Sequence, residues 1–210
     1  MQRRLLNRPR RARPLRRALI VALAATALSC IDLPGEPARS GADVNVVLPE
    51  GIGLESTCTP TGVEICFDAR DNNCNGVIDE GCGLRTGLLQ FVIAWEAPEA
   101  DVDLLVTDPS DEVAKVGEPT TGGLVKDRDC PRSECQGQNV ENVFLGEGEP
   151  RKGRYKVVVH LEKLNGATAP VKVRVGMRIG QRTHGWTVEL SPNTPGGPAT
   201  EDWTYPFEVK

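Results

Sequence analysis

The chain has 210 residues with 25 Lys and Arg against 29 Asp and Glu, and its nine aromatic side chains are 3 Trp, 2 Tyr and 4 Phe. Eight of the arginines lie in Met1–Arg17, so from residue 30 onward the count is 17 basic against 29 acidic, near −12. A chain that acidic lacks the cationic stripe that grips phosphate backbones and would be repelled by anionic headgroups, which excludes nucleic acid as a partner and favours divalent cations.

The first element, residues 1–29, reads as an export signal. Its arginine-rich start is followed by an apolar run from Ala18 to Ser29, shorter than the roughly 20 residues that a membrane-spanning helix needs. The run closes on Thr26-Ala-Leu-Ser-Cys30, which resembles a bacterial lipobox. That resemblance implies acylation of Cys30, attachment to the membrane through a lipid anchor there, and, with Ile31 next, delivery to the outer membrane of a Gram-negative cell envelope. Residues 30–57 hold Pro34, Pro37, Ser40, Gly41, Pro49, Gly51 and Gly53 with little apolar periodicity. They are expected to form a disordered, flexible tether.

Next comes a cysteine-rich segment, residues 58–83, with Cys58, Cys66, Cys74 and Cys82 evenly spaced. Setting Cys30 aside leaves these four plus Cys130 and Cys135, an even set suited to three disulfides in an oxidising compartment. Two bridges are expected within the segment, in a pairing that spacing leaves open, and one local bridge between Cys130 and Cys135. Zinc is a poor rival, because its cysteine ligands come in pairs two to four residues apart. The segment is too short to bury a core, so disulfides and a bound ion would have to order it.

Within it runs Asp71-Asn-Asn-Cys-Asn-Gly-Val-Ile-Asp79. Counted from Asp71, oxygen-bearing side chains fall at positions 1, 3, 5 and 9 with glycine at 6, the spacing by which an EF-hand-type loop wraps a hard cation. Asp71, Asn73, Asn75 and Asp79 are the candidate side-chain ligands, and Val77 would offer its carbonyl. Position 12, the usual bidentate Glu, is Cys82, so Glu80, Asp68 or water would complete the shell. Ordinary turns in a disulfide module use the same residue types.

The segment Glu64-Ile-Cys66-Phe-Asp68-Ala-Arg-Asp71-Asn-Asn-Cys74-Asn-Gly76-Val-Ile-Asp79-Glu-Gly-Cys82 resembles the cysteine-rich metal-binding motif of bacterial surface proteins named after the copper-binding protein MopE. It departs from that motif at Ala69, where the family has glycine, and at Asn73 and Asn75, where it has aspartate. Copper is what the family name implies. The oxygen ligands instead suit calcium, magnesium or manganese, calcium being the expected ion, and the segment contains no His or Met.

From 86 to 210 the chain alternates in the manner of strands. Val171–Ile179 and Tyr155–Leu161 are the clearest, and Leu88–Trp95, Val102–Val106, Glu112–Val116, Val140–Leu145, Trp186–Leu190 and Tyr205–Val209 are weaker. Roughly eight strands predict an all-β fold, a β-sandwich of jelly-roll or Ig-like type. Trp95, Asp101-Val-Asp-Leu-Leu-Val-Thr-Asp-Pro109, Asn139–Phe144 and Gly153–His160 resemble a YfaP-like domain and, more distantly, the pre-peptidase C-terminal β-sandwich. Asp101 and Asp103 share one strand face and are candidates, with Asp108, for a second calcium, or else form a solvent-facing acidic face.

Catalysis is not expected. The two histidines, His160 and His184, have no recognisable nucleophile nearby in sequence, and Trp95, Trp186 and Trp203 read as packing residues. The sequence therefore describes a non-catalytic cell-envelope lipoprotein with a weak calcium-type site and a sandwich that engages a surface protein or polysaccharide. A copper-capturing protein and a carbohydrate-active enzyme are the alternatives.

Overall fold

The computed structural model describes residues 44–54, 58–60, 62–132, 135–192 and 202–210. The export signal and Cys30 lie outside them. Among the described residues there are ten strands: β1 Val46–Val47, β2 Gly53–Leu54, β3 Leu89–Trp95, β4 Asp101–Thr107, β5 Leu124–Arg128, β6 Val140–Leu145, β7 Gly153–Lys163, β8 Val171–Ile179, β9 Arg182–Leu190 and β10 Asp202–Val209. They build two antiparallel sheets, of order β1-β10-β7-β4 and β2-β9-β8-β3-β6-β5. No helix among the described residues is long and apolar enough to cross a membrane.

The alternation in β8 and β7 is the packing rule made visible: Val171, Val173, Val175, Met177 and Ile179 face Tyr155, Val157, Val159 and Leu161 in one core between the sheets. Phe207 closes that core on the β10 side, its ring 5.0 Å from Tyr155 and 5.7 Å from Phe91. β3 breaks the alternation, because all seven of its residues are buried. Leu89, Phe91, Ile93 and Trp95 enter the main core. Val92 and Ala94 on the opposite face join Ala69, Ile78 and Val140 in a second apolar cluster beneath the cysteine segment.

Two expectations about strands need correction. Glu112–Val116 is no strand and makes only isolated bridges, including Thr107 with Val113. The reason is Asp108, whose Oδ1 accepts from Ser110 N at 2.7 Å and Glu112 N at 3.3 Å and whose Oδ2 accepts from Gly122 N at 2.8 Å, folding the chain back on itself. β5 is a strand that alternation does not announce, since it buries Lys126. Within the segment read as a tether, residues 46–47 pair with β10 and residues 53–54 pair with β9.

The sandwich is closed along β4 by an acid from the other sheet. Glu141 in β6 is fully buried; its Oε2 accepts the β4 edge N–H of Leu104 at 2.6 Å and its Oε1 accepts Cys130 N at 3.1 Å. Lys126 Nζ stands 2.8 Å from Oε2. Burial pushes Glu141 up and Lys126 pulls it down. Burial wins, holding the carboxyl above the ordinary range, and the Asp129 carboxylate shares a side-chain hydrogen bond with it.

Gly176 in β8 lies where the cysteine segment comes closest to the sheet, and a Cβ there would run into the Ala69 carbonyl. Gly176→Val is expected to lower stability by about 1–3 kcal/mol, read from a reversible denaturant melt, while Gly53→Val, at an exposed strand position where a Cβ meets nothing within 4 Å, costs less than half as much. A second expectation concerns His160, paired across the ladder with Asp202 at 2.5 Å from Nδ1 to Oδ1. Partial burial lowers the ring's pKa, but Asp202 and then Glu162 outweigh it and the pKa stands above the ordinary value. A raised folded-state pKa means the pair's contribution is fully present below about pH 6.5 and fades as pH rises through the folded value. Asp202→Asn is expected to remove about 0.2–1 kcal/mol below that range and nothing at pH 9, measured by melts across pH.

Candidate metal centre

Cys58 pairs with Cys74 and Cys66 with Cys82, each across 16 residues. The two loops interlock, and loops of about this size each remove about 3 kcal/mol of denatured-state freedom on the chain-entropy argument. All four sulfurs are thereby spent as frame. Cys130–Cys135 forms the local bridge.

Between the bridges the backbone turns sharply. Phe67, Ala69, Cys74 and Asp79 all have positive φ, from 52° to 66°. Ala69 sits at 55°, a conformation that costs an L-residue about 1–2 kcal/mol, and this is the position where the resembled motif has glycine. Its methyl is fully buried in the apolar cluster over β3, which offsets part of that cost. Gly76, at φ 83°, has a further reason to lack a side chain, because a Cβ would stand 2.9 Å from the Gln181 carbonyl in the β8–β9 turn.

Asp71 is the hinge of the oxygen loop. It is buried; Oδ1 accepts Asn75 N at 3.0 Å, and Oδ2 accepts Gly76 N at 2.9 Å and Thr183 Oγ1 at 3.3 Å. Asn73 Oδ1 accepts Asn75 N at 3.1 Å and Asn75 Oδ1 accepts Val77 N at 2.8 Å, the two-residue turns that bring alternate side chains to one side. There the Asn73 and Asn75 amides both meet Glu80 Oε1. Glu80 Oε2 is buried with no hydrogen-bond partner.

Asp79, its neighbour, points the other way. It is fully buried, and its Oδ1 accepts Phe67 N at 2.6 Å and Asp68 N at 3.3 Å while Oδ2 accepts Ala69 N at 3.2 Å. Burial pushes its carboxyl up to about 6 against those N–H groups. Asp68 also turns away from Glu80: its oxygens accept Arg70 N at 3.1 Å and Asn72 Nδ2 at 3.1 Å. Asp71, Asn73, Asn75 and Glu80 thus form one connected group, with Val77 buried beside it and joined through its N–H.

Glu64 is a residue that the ligand spacing does not reveal. Its Oε1 accepts Asp79 N at 3.0 Å and its Oε2 accepts Asn72 N at 3.1 Å, and burial followed by the charge of Glu80 pushes its carboxyl up to about 7. Glu64 opens the resembled motif, so that motif carried its only signal. Thr183, which reaches Asp71 from 112 residues away, had none.

The second candidate set is divided by the strand. Asp101 and Asp103 share the outer face of β4. Asp108, spent on its turn, lies five residues beyond Asp103, about 16 Å at strand rise. Asp103 belongs instead with Asp129 and Glu141, whose carboxylate oxygens all lie within 4.8 Å of one another. Lys126 Nζ stands among them, 2.5 Å from Asp129 and 3.9 Å from Asp103.

Residues 55–80 match the family model Cu-binding MopE, described as "putative metal-binding motif". No curated protein matches this chain, and no solved structure does. The donors brought together are carboxylate and amide oxygens, which fit a hard cation; with its sulfurs in disulfides and no imidazole or thioether in the segment, they do not fit copper.

Because Asp79 caps three N–H groups with two acceptor oxygens, Asp79→Asn places an amide donor against a donor. It is expected to cost about 1–3 kcal/mol by denaturant melt with the disulfides intact. Glu80→Gln, which caps no backbone group, is expected to change stability by less than half that amount in chelator.

Proposed function

We infer that the protein is a non-catalytic cell-envelope lipoprotein, anchored through Cys30 in the outer membrane, whose cysteine module holds a weakly bound structural calcium and stiffens the base of a YfaP-like β-sandwich that binds a surface protein or polysaccharide. The carrying observation is Glu80, with one oxygen on two side-chain amides and the other buried and orphaned. An unpaired buried carboxylate oxygen costs several kcal/mol, and a hard cation bound with Asp71, Asn73 and Asn75 relieves it. The ion would supply positive charge to a segment that also buries Asp79 and half-buries Glu64. With few carboxylates in the group, affinity is on the order of 10⁻⁴ to 10⁻³ M, adequate only where calcium is abundant. Three disulfides support an oxidising compartment.

Support for a non-catalytic role comes from the histidines: His160 is held between Asp202 and Glu162, and His184 is buried within the sandwich wall. The second reading, a copper-capturing surface protein, has the matched family's name in its favour.

Thermal melts of the oxidised protein with calcium, magnesium, copper and EDTA separate the two. Calcium at about 100 times its Kd is expected to add about 2.7 kcal/mol, and Asp71→Asn or Glu80→Gln to abolish that gain. Stability unmoved by calcium and EDTA but raised by copper would leave the copper reading standing in its place. Intact mass of the native protein checks acylation at Cys30.

A further inference from the structure

An amine and two carboxyl groups meet inside the sandwich at Lys126, Asp129 and Glu141. Lys126 Nζ stands 2.5 Å from Asp129 Oδ1 and 2.8 Å from Glu141 Oε2, and the three side chains are 6%, 17% and 0% exposed. Residues three apart on a regular strand face opposite sides, so spacing alone would separate Lys126 from Asp129. β5 carries a bulge instead: Lys126 pairs with Val143 and Arg128 with Asn142, leaving Asp127 as the extra residue. The bulge turns Asp129 back to the Lys126 face, where Glu141 also lies.

An ion pair needs one acid, and this lysine has a second that touches both members of the pair. Glu141 is fixed by the N–H groups of Leu104 and Cys130 and hydrogen-bonds Asp129. Burial drives its carboxyl up to about 8, so at neutral pH it carries a proton. Asp129 Oδ2, the oxygen turned away from the lysine, lies on the Arg132 guanidinium. A nucleophilic amine, a carboxyl carbon, a proton-carrying acid between them and a cation on the remaining oxygen are the parts of an acyl transfer to nitrogen.

We propose that the folded chain joins Lys126 Nζ to Asp129 Cγ in an amide bond, with Glu141 as the proton-transfer group. The ammonium passes one proton to Asp129 Oδ1, and the freed amine lone pair attacks Cγ. Negative charge gathers on Oδ2 against Arg132. The Cγ–Oδ1 bond then breaks as Glu141 gives its proton to Oδ1 and takes a second proton from Nζ at Oε2. One water leaves, and Glu141 ends protonated as it began. The step needs no oxidant, metal or further reactant.

Burial favours the neutral amine, but Glu141 and Asp129 outweigh it and hold Lys126 above its ordinary pKa. The attacking form is therefore scarce and the bond forms slowly. Groups held in contact offset that scarcity, with effective molarities of about 10⁵–10⁸ M. The product also replaces a buried pair of charges, whose desolvation is costly, with a neutral amide.

Mass spectrometry tests the bond on the oxidised full chain, with Cys30→Ser keeping acylation from altering the mass. After incubation at neutral pH until the mass is constant, the chain is expected to be lighter, by one water, than its sequence with three disulfides. After reduction, trypsin is expected to leave Lys126 uncut and to release residues 116–128 still joined to residues 129–132. Asp129→Ala is expected to restore both the missing mass and the cut after Lys126. Glu141→Gln is expected to slow the reaction on the order of 10²–10⁴-fold, followed as the lighter species accumulates in chain refolded from inclusion bodies. A native chain of full mass that trypsin cuts after Lys126 overturns the bond, whether or not either variant folds. A water loss that persists in Asp129→Ala overturns it too, because that loss belongs to another site. A folded Glu141→Gln chain that reacts at the unsubstituted rate overturns the part given to Glu141.

Discussion

Ile78 is where the cysteine segment acquires the core that it is too short to build. Its side chain is 1% exposed and packs with Ala69 against Val92, Ala94 and Val140 on the outer face of the six-stranded sheet. Burying a side chain of this size is worth about 1.5–3 kcal/mol, and Gln90 Nε2 holds the Ile78 carbonyl at 3.2 Å. Gly176 lets the backbone at Ala69 settle onto β8. Everything about the metal loop follows from that docking: the tight turns, the burial of Asp71 and Asp79, and the reach of Thr183 from the sheet.

Burial also divides the acids by role. Asp79 and Glu80 are neighbours with the same charge, yet one carboxylate is used up on backbone N–H groups of residues 67 to 69 and the other lies on the Asn73 and Asn75 amides. A strand or turn sends successive side chains to opposite sides, and here one side is the protein and the other is the loop. The same principle governs Glu141 and Lys126, where a buried acid and lysine join one sheet to the edge of the other. Such a pair is weak evidence for net stability, but its geometry fixes which edge N–H the acid accepts.

Alternation in the sequence located most of the sandwich, because one wet and one dry face is what an antiparallel strand requires. It failed where a different force decided. β5 contains Lys126, Asp127 and Arg128 and reads as a polar turn; only the acids on neighbouring elements make its burial tolerable. Glu112–Val116 reads as a strand, and Asp108 withdraws it by capping three N–H groups. The short pairings at residues 46–47 and 53–54 depend on free edges of β10 and β9, which no local pattern encodes.

The sequence by itself determined the chemistry available to this protein: hard oxygen donors at alternate positions of a cysteine-framed loop, an oxidising home for six cysteines, and strands enough for two sheets. Tertiary structure decided which of those groups meet. It paired the cysteines as interlocked loops, took Asp79 out of the loop and left Glu80 in it, and separated Asp108 from Asp103. It also set Lys126 against Asp129 and Glu141. Spacing along a chain specifies which side a residue faces within its own element, whereas partners across elements are chosen by register and burial, and these exist only once the sheets have closed on their core.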